Sequence, residues 1–219
     1  MLILAFDTTA AACSVALWRD GETLKAEHAA MTQGQAEALI PMIERLLSEC
    51  RVEYAMLDCI AVTVGPGSFT GVRVGIATAR ALGLAASKPV VGVKTTEVLA
   101  AAMPETPTRI LAVMDTKRGD LYVQMFGPDR SPVSDVSVVT LEELPSWAGP
   151  DPVTLIGDGA ALAMTVLGPN ATLSAADPLP DAAVLARLAC TRAEGAETLP
   201  VYARAPDAKL PTGGGRLRP

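Results

Sequence analysis

A single histidine, His28, serves the whole of this 219-residue chain, and that scarcity excludes a good deal. A zinc or iron site draws on two to four nitrogen, sulfur or carboxylate ligands at suitable spacing, and one histidine cannot supply a His-x-x-x-His pair. A Ser-His-Asp or Cys-His hydrolase would have to use His28 as its base. That residue ends an extended run far in sequence from any nucleophile turn, so the reading is set aside. The four cysteines, Cys13, Cys50, Cys59 and Cys190, have neither metal-ligand nor redox spacing. Each lies in an apolar context and reads as a buried free thiol, which fits a reducing cytosol. Charge is also sparse, at 19% of residues with a net of −6, and Lys and Arg are scattered. A protein that held a tRNA or a duplex by itself would carry a basic stripe. No run approaches the roughly 18 apolar residues of a membrane-spanning helix. The start, Met1 to Asp7, reads as a strand and not as a signal peptide.

What is present is an apolar half of the chain, ample for a core, and one informative loop. Residues 65–75 read Gly-Pro-Gly-Ser-Phe-Thr-Gly-Val-Arg-Val-Gly. They follow the apolar run 59–64 and open a long small-residue helix expected over 72–87. A tight glycine loop at a helix start turns N–H groups outward and suits an anion. Gly67, Gly71 and Gly75 also let another backbone approach closely. The spacing is not that of a P-loop, and no lysine stands where one would be needed.

The order of elements repeats. An apolar strand ending in Asp7-Thr8 is followed by strands at 13–19 and 23–28, with Asp20-Gly21 between them as a hairpin signal. A helix over 33–51 carries Ala36, Leu39, Ile40, Ile43, Leu46, Leu47 and Cys50 on one face, with Pro41 expected to kink or restart it. Then come the strand at 59–64, the glycine loop and its helix, a strand at 90–93, and a helix capped by Thr95 or Thr96. After Pro104–Pro107, a second strand ends in Asp115-Thr116. Strands follow at 120–126 and 132–139, then a short helix from Glu142, a strand at 153–156, and the turn Gly157-Asp158-Gly159. The recurrence of a whole unit predicts a duplicated α/β architecture of two mixed sheets covered by helices. The divisions expected are 1–104, 105–204 and a tail at 205–219 without order. Leu199 to Tyr202 reads as a last strand or a docking segment.

Candidate chemistry is thin. Asp7 and Asp115 end corresponding strands, where an aspartate either orients a magnesium-bound water or phosphate, or caps its own turn. Ser68 and Thr70 either bind phosphate or, for Thr70, cap the helix. Gly71, Gly75, Ala79 and Gly83 recur every four residues as a flat face, suited to close packing inside the fold or against a partner helix. Ala38, Met42 and Arg45, with Gln35 nearby, fall off the main face of the 33–51 helix and suit an adaptable interface or plain surface.

With these residues in view, the chain resembles the TsaB (YeaZ) family of bacterial tRNA threonylcarbamoyladenosine biosynthesis. The resemblance is carried by Ile3 to Thr9 with Cys13-Ser-Val-Ala16, the loop 65–75, Asp115 to Tyr122, Gly157-Asp-Gly159 and Pro200-Val-Tyr202. It implies the duplicated actin-like ATPase (RNase H-like) fold and a non-catalytic scaffold, without cofactor or metal, in the cytoplasm. The implied partners are a TsaD-like catalytic subunit and a TsaE-like ATPase. Together they move a threonylcarbamoyl group from its adenylate to adenosine 37 of ANN-decoding tRNAs, and this chain meets tRNA only through the complex. The implied interface lies on the two N-terminal helices, at Gln35, Ala38, Met42, Arg45, Gly71, Val72, Gly75, Ile76, Ala79, Leu82 and Gly83, and also makes the homodimer formed in isolation. Asp7, Thr8, Gly67, Ser68, Thr70, Asp115, Gly157 and Gly159 would be a vestigial nucleotide site. Two features depart from the family pattern: Gly34-Gln35 stands where a His-Ser pair is usual, and the C-terminal region is short. The alternatives are a nucleotide-hydrolysing actin-like ATPase or kinase and, behind it, a metalloprotease-like relative.

Overall fold

The computed structural model describes residues 1–192 and 198–203. The expected tail at 205–219 lies outside the described residues. The first half runs β1 (Leu2–Asp7), β2 (Ala12–Arg19), β3 (Glu22–Ala30), α1 (Gln35–Cys50), β4 (Cys59–Thr63), α2 (Phe69–Ala86), β5 (Val90–Val93) and α3 (Thr95–Ala102). The second runs β6 (Arg109–Asp115), β7 (Asp120–Phe126), β8 (Ser137–Thr140), α4 (Leu144–Ala148), β9 (Val153–Ile156), α5 (Ala160–Leu167), β10 (Ala171–Leu173) and α6 (Ala182–Ala189). The two sheets have orders β3-β2-β1-β4-β5 and β8-β7-β6-β9-β10. In each, the first three strands pair antiparallel and the last two join parallel. The duplication read from the sequence is thus a duplication of topology.

Both faces of the central strands are covered, so they read as continuous apolar runs and not as alternations. Leu2, Leu4 and Phe6 of β1 point into a core under α1 and α2, while Ile3 and Ala5 point into a second core under α6. Strand β6 divides likewise: Leu111 and Val113 face α5, and Ile110, Ala112 and Met114 face α3. The last helix of each half therefore packs against the other half's sheet. Val98 of α3 belongs to the first sheet's core and Leu99 to the second's. A buried hydrogen bond from the Thr96 hydroxyl to Gln124 Oε1 crosses the same joint.

Local chemistry explains most boundaries. Asp20 and Gly21 both have positive φ, 49° and 102°, which is the type I′ hairpin geometry that matches strand twist. Helix α1 passes through Pro41 without ending or restarting. Its buried residues are Leu39, Met42, Ile43, Leu46 and Leu47. Met42, placed off this face by sequence, is a core residue, and Ile40 and Ala36 are exposed. At about 100° per residue the face centres on Ile43 and Leu46, which brings Met42 in and turns Ile40 about a quarter turn away. The cap of α3 is Lys94, whose N–H donates to Glu97 Oε2 at 3.0 Å. Neither Thr95 nor Thr96 caps, because their hydroxyls bond Thr9 and Gln124. The strand expected at 132–139 begins only at Ser137. Before it, Pro132 makes one isolated bridge to Phe126, and Ser134 Oγ takes the Met125 N–H. Cys13 and Cys59 are buried as expected, while Cys50 and Cys190 are half-buried.

Candidate functional site

The glycine loop folds as strand, turn and helix start, and the helix begins earlier than the sequence implied. Phe69 is its first residue and Ser68 its N-cap, the Ser68 hydroxyl accepting from Gly71 N at 3.3 Å. Thr70 lies in the first turn, exposed, and caps nothing. The expected outward-facing cradle is occupied by the chain itself. Ser68 N donates to Thr9 O at 2.8 Å, and the Thr8 hydroxyl donates to Gly71 O at 2.7 Å. A Cβ on Gly67 would sit 2.4 Å from Thr9 O, and one on Gly71 only 1.9 Å from Thr8 O. The glycines are there so that the β1–β2 turn can lie against the loop. The oxygen that the loop holds, through Ser68 N, is a backbone carbonyl.

Asp7 lies beneath that turn, fully buried. Its Oδ1 accepts from Thr9 N (3.2 Å), the Thr9 hydroxyl (2.6 Å) and the Thr63 hydroxyl. Its Oδ2 is buried without a partner. Burial pushes its pKa up to about 6 against the pull of these hydrogen bonds. Asp7 is a buried turn cap. Asp115 also caps its turn, through Lys117 N at 2.7 Å, and pairs with Lys117 Nζ at 2.9 Å. Burial alone would raise it, but the Lys117 ammonium and N–H together hold it below the ordinary carboxylate range. Lys117 Nζ also lies 3.6 Å from Asp158, whose other oxygen accepts from Asp115 N at 2.9 Å. The cation beside the second aspartate is therefore the protein's own. Gly157 (φ +113°) and Gly159 close on β6 as the first loop closes on β1: a Cβ on Gly157 would lie 2.1 Å from Val113 O. Among the described residues no three His, Cys, Asp or Glu side chains group as metal ligands.

The flat face of α2 is also turned inward. Gly71, Val72, Gly75, Ile76, Ala79 and Gly83 are buried within the chain, and only Leu82 of the expected α2 contacts is half-buried. A Cβ on Gly75 would meet the Thr8 hydroxyl at 2.9 Å, and one on Gly83 Val90 Cγ2 at 2.6 Å. The small residues bring α2 close to its own sheet, so they shape the helix surface without being it. The outer stripe carries Phe69, Arg73, Ala77, Arg80 and Leu84, the last 84% exposed. The signal for this face was available: Arg73 and Arg80, seven residues apart, are the only charges in the helix. On α1, Gln35 Nε2 donates to Ala10 O and Met31 O, Arg45 pairs with Glu27, and Ala38 is half-buried against the core. Glu37, Ile40, Pro41 and Glu44 are exposed. Helices α1 and α2 lie side by side over one core, so these faces adjoin.

The segment from Leu199 to Tyr202 is a docking segment and not a strand. Val201 N donates to Val64 O at 2.7 Å, and Arg73 Nε donates to the Tyr202 hydroxyl at 3.0 Å. A cleft of about 770 Å³ lies elsewhere, between α3, α6 and the loop after β7. Its arginines are engaged: Arg187 with Ala101 O, Arg130 with Met103 O, and Arg192 with Gly92 O and Glu97.

A family model described as TsaD, tRNA N6-adenosine threonylcarbamoyltransferase, matches residues 30–150. The tRNA threonylcarbamoyladenosine biosynthesis protein TsaB of Escherichia coli is 38% identical over 133 residues, 60% of this chain and 57% of that protein. The chain thus spans a little over half the length of that curated relative. A solved structure from Pseudomonas aeruginosa, described as similar to the peptidase YeaZ, superposes with a TM-score of 0.80 at 30% identity, covering 93% of this chain and 99% of that one. An activator of 2-hydroxyisocaproyl-CoA dehydratase from Clostridium difficile, solved with ADPNP, superposes with a TM-score of 0.50 at 9% identity, over 86% of this chain and 94% of that one. That likeness bears on the fold alone, a duplicated actin-like α/β architecture.

Proposed function

Because the chain belongs to the TsaB (YeaZ) family of tRNA threonylcarbamoyladenosine biosynthesis proteins, we propose that it works there as a non-catalytic scaffold. Its partner on this reading is a TsaD-like subunit that carries the chemistry, with a TsaE-like ATPase completing the assembly. The partner holds the adenylate and the tRNA and transfers the threonylcarbamoyl group to adenosine 37. This chain docks through the outer faces of α1 and α2, and pairs with itself through the same faces when alone. The residues that qualify for contact are Gln35, Ala38, Arg45 and Leu82 with the exposed stripe of α2. Met42, Gly71, Val72, Gly75, Ile76, Ala79 and Gly83 act from beneath.

One observation carries the non-catalytic reading. The Thr8–Thr9 turn packs into the glycine loop, with Ser68 N on Thr9 O at 2.8 Å. A phosphate cannot use the Ser68 N–H, already spent on a backbone carbonyl, without displacing the turn that buries Asp7. The −6 net charge supports leaving the RNA contacts to the partner.

A mixture of this chain, the TsaD-like and TsaE-like proteins of the same genome, threonylcarbamoyl-adenylate and tRNA tests the proposal. Modified adenosine is expected from the full mixture, with loss of product when this chain is omitted and none from this chain with substrates alone. Product formed equally well without it would sink the scaffold reading. Calorimetry of the isolated chain with ATP and magnesium decides the kinase alternative: micromolar binding with turnover would establish it, and no heat is expected.

A further inference from the structure

We infer that the segment 198–203 is a built part of the docking face of α2, and that Phe69, Arg73 and Tyr202 form an anchor for a carboxylate of the TsaD-like subunit. The inference rests on the partner reading above. Both cations of α2 are committed to this segment. Arg80 Nη2 donates to Thr198 O at 2.9 Å, and Arg73 Nε donates to the Tyr202 hydroxyl at 3.0 Å. The guanidinium of Arg73 lies 3.5 Å from the centroid of the Phe69 ring and 5.8 Å from that of Tyr202. The strap is fastened from below as well. Val201 is pinned to Val64 and packs on the core under α1 and α2, and Gly65, at φ +96°, leaves just enough room for Val201 O.

This leaves an unusual surface. Phe69 and Tyr202 are 58% and 51% exposed, with ring centroids 6.0 Å apart. Aromatic residues are only 4% of the chain, and these two are the only exposed ones among the described residues. Exposed Leu199 belongs to the strap and exposed Leu84 to α2. The plane of Arg73 is fixed by a ring beneath and a hydroxyl at Nε, while its Nη groups have no partner among the described residues. No carboxylate among those residues pairs with Arg73 or Arg80. A guanidinium held this way is pre-organised for bidentate binding of a carboxylate, and Arg beside aromatics is the composition of interface hot spots. The occupant follows from charge. In the self-paired form, α2 packed on α2 would bring four arginines together and leave each guanidinium without a carboxylate, so a different chain matches the anchor better. A TsaD-like partner shares this fold, as the family model matching residues 30–150 indicates, and can bring a helix pair of different sequence with acids opposite Arg73 and Arg80.

The test is the affinity of the full chain for the TsaD-like protein of the same genome, by calorimetry at low and high salt. Phe69→Ala, Tyr202→Ala and Arg73→Lys are compared with Leu162→Ala, on the outer face of α5. The first three are expected to weaken binding at least tenfold, Arg73→Lys despite its retained charge, and Leu162→Ala to leave it unchanged, with melting temperatures like the parent's. Arg73→Lys decides the matter if an alanine variant melts early. Binding by the parent with less than threefold loss in the variants would overturn the inference and leave the partner reading standing. Absence of binding by the parent would remove both. Loss of self-association alone would assign the anchor to a second copy and overturn the choice of partner.

Discussion

At the scale of single residues, the site is decided by two atoms that have nowhere to go. Gly71 has no room for a methyl group, because Thr8 O would lie 1.9 Å from it. Gly71→Ala is therefore expected to destabilise the fold by more than the roughly 1–3 kcal/mol of ordinary overpacking, since backbone and not a side-chain tip must move. Urea denaturation measures this; a loss under about 1 kcal/mol would mean that the turn is free to leave the loop. The second atom is Oδ2 of Asp7, buried without a partner. With its folded pKa raised to about 6 from 3.8, Asp7 binds its proton more tightly folded than unfolded. Its contribution is therefore fully present below about pH 4 and is lost as the pH rises through 6. At pH 7 the ionised group costs about 3 kcal/mol relative to an unperturbed carboxyl. Unfolding free energies of the parent and Asp7→Asn, compared at pH 4 and pH 7, should shift by about 2–3 kcal/mol in favour of the variant, and a pH-independent difference would contradict this.

At the scale of elements, each helix has a face the sequence marks well and a boundary it marks poorly. The 3.6-residue period identifies α1 and α2, but the residues beside the buried stripe depend on where the sheet lies. Met42→Ala should cost about 2–5 kcal/mol of stability, as a buried deletion does, while Ile40→Ala should cost under about 1 kcal/mol. Equal losses in thermal unfolding would mean that the face is misplaced. The start of α2 gives a similar pair. Ser68→Ala removes the cap and should cost about 1 kcal/mol, whereas Thr70→Ala should stay within about 0.5 kcal/mol. The sequence favours Thr70 because the glycines on either side suggest a later start. Helix geometry instead begins at Phe69, because Ser68 N is already engaged with Thr9 O and its hydroxyl is left to take Gly71 N.

At the scale of the molecule, two copies of one topology are held together by exchanged helices, α3 and α6, lying between the sheets. The polar joint within that layer is Thr96 to Gln124, whose Nε2 in turn donates to Ser134 O at 2.9 Å. Thr96→Val would leave Gln124 Oε1 buried without its donor, at a cost of about 1–3 kcal/mol. Chemical denaturation would read this as a lower midpoint, and an unchanged midpoint would show that the joint is held by packing alone. Among the described residues no helix is long and apolar enough to cross a membrane.

The duplication was legible in the order of strands, Asp-Thr ends and glycine turns, because topology follows the order of elements and the turn chemistry that joins them. The want of a second histidine was equally legible, since a missing residue type stays missing in any fold. Direction was not legible. Gly71, Gly75, Ala79 and Gly83 suit a partner helix and an underlying sheet equally, because close approach needs small residues in both cases. Only the packing of α2 on β4 and on the Thr8–Thr9 turn chose the sheet, and with it turned Phe69, Arg73 and Leu84 outward. The glycine loop was readable as a cradle. What lies in it was decided by contacts between residues some sixty positions apart in the chain, such as Thr8 with Gly71, which no local pattern records.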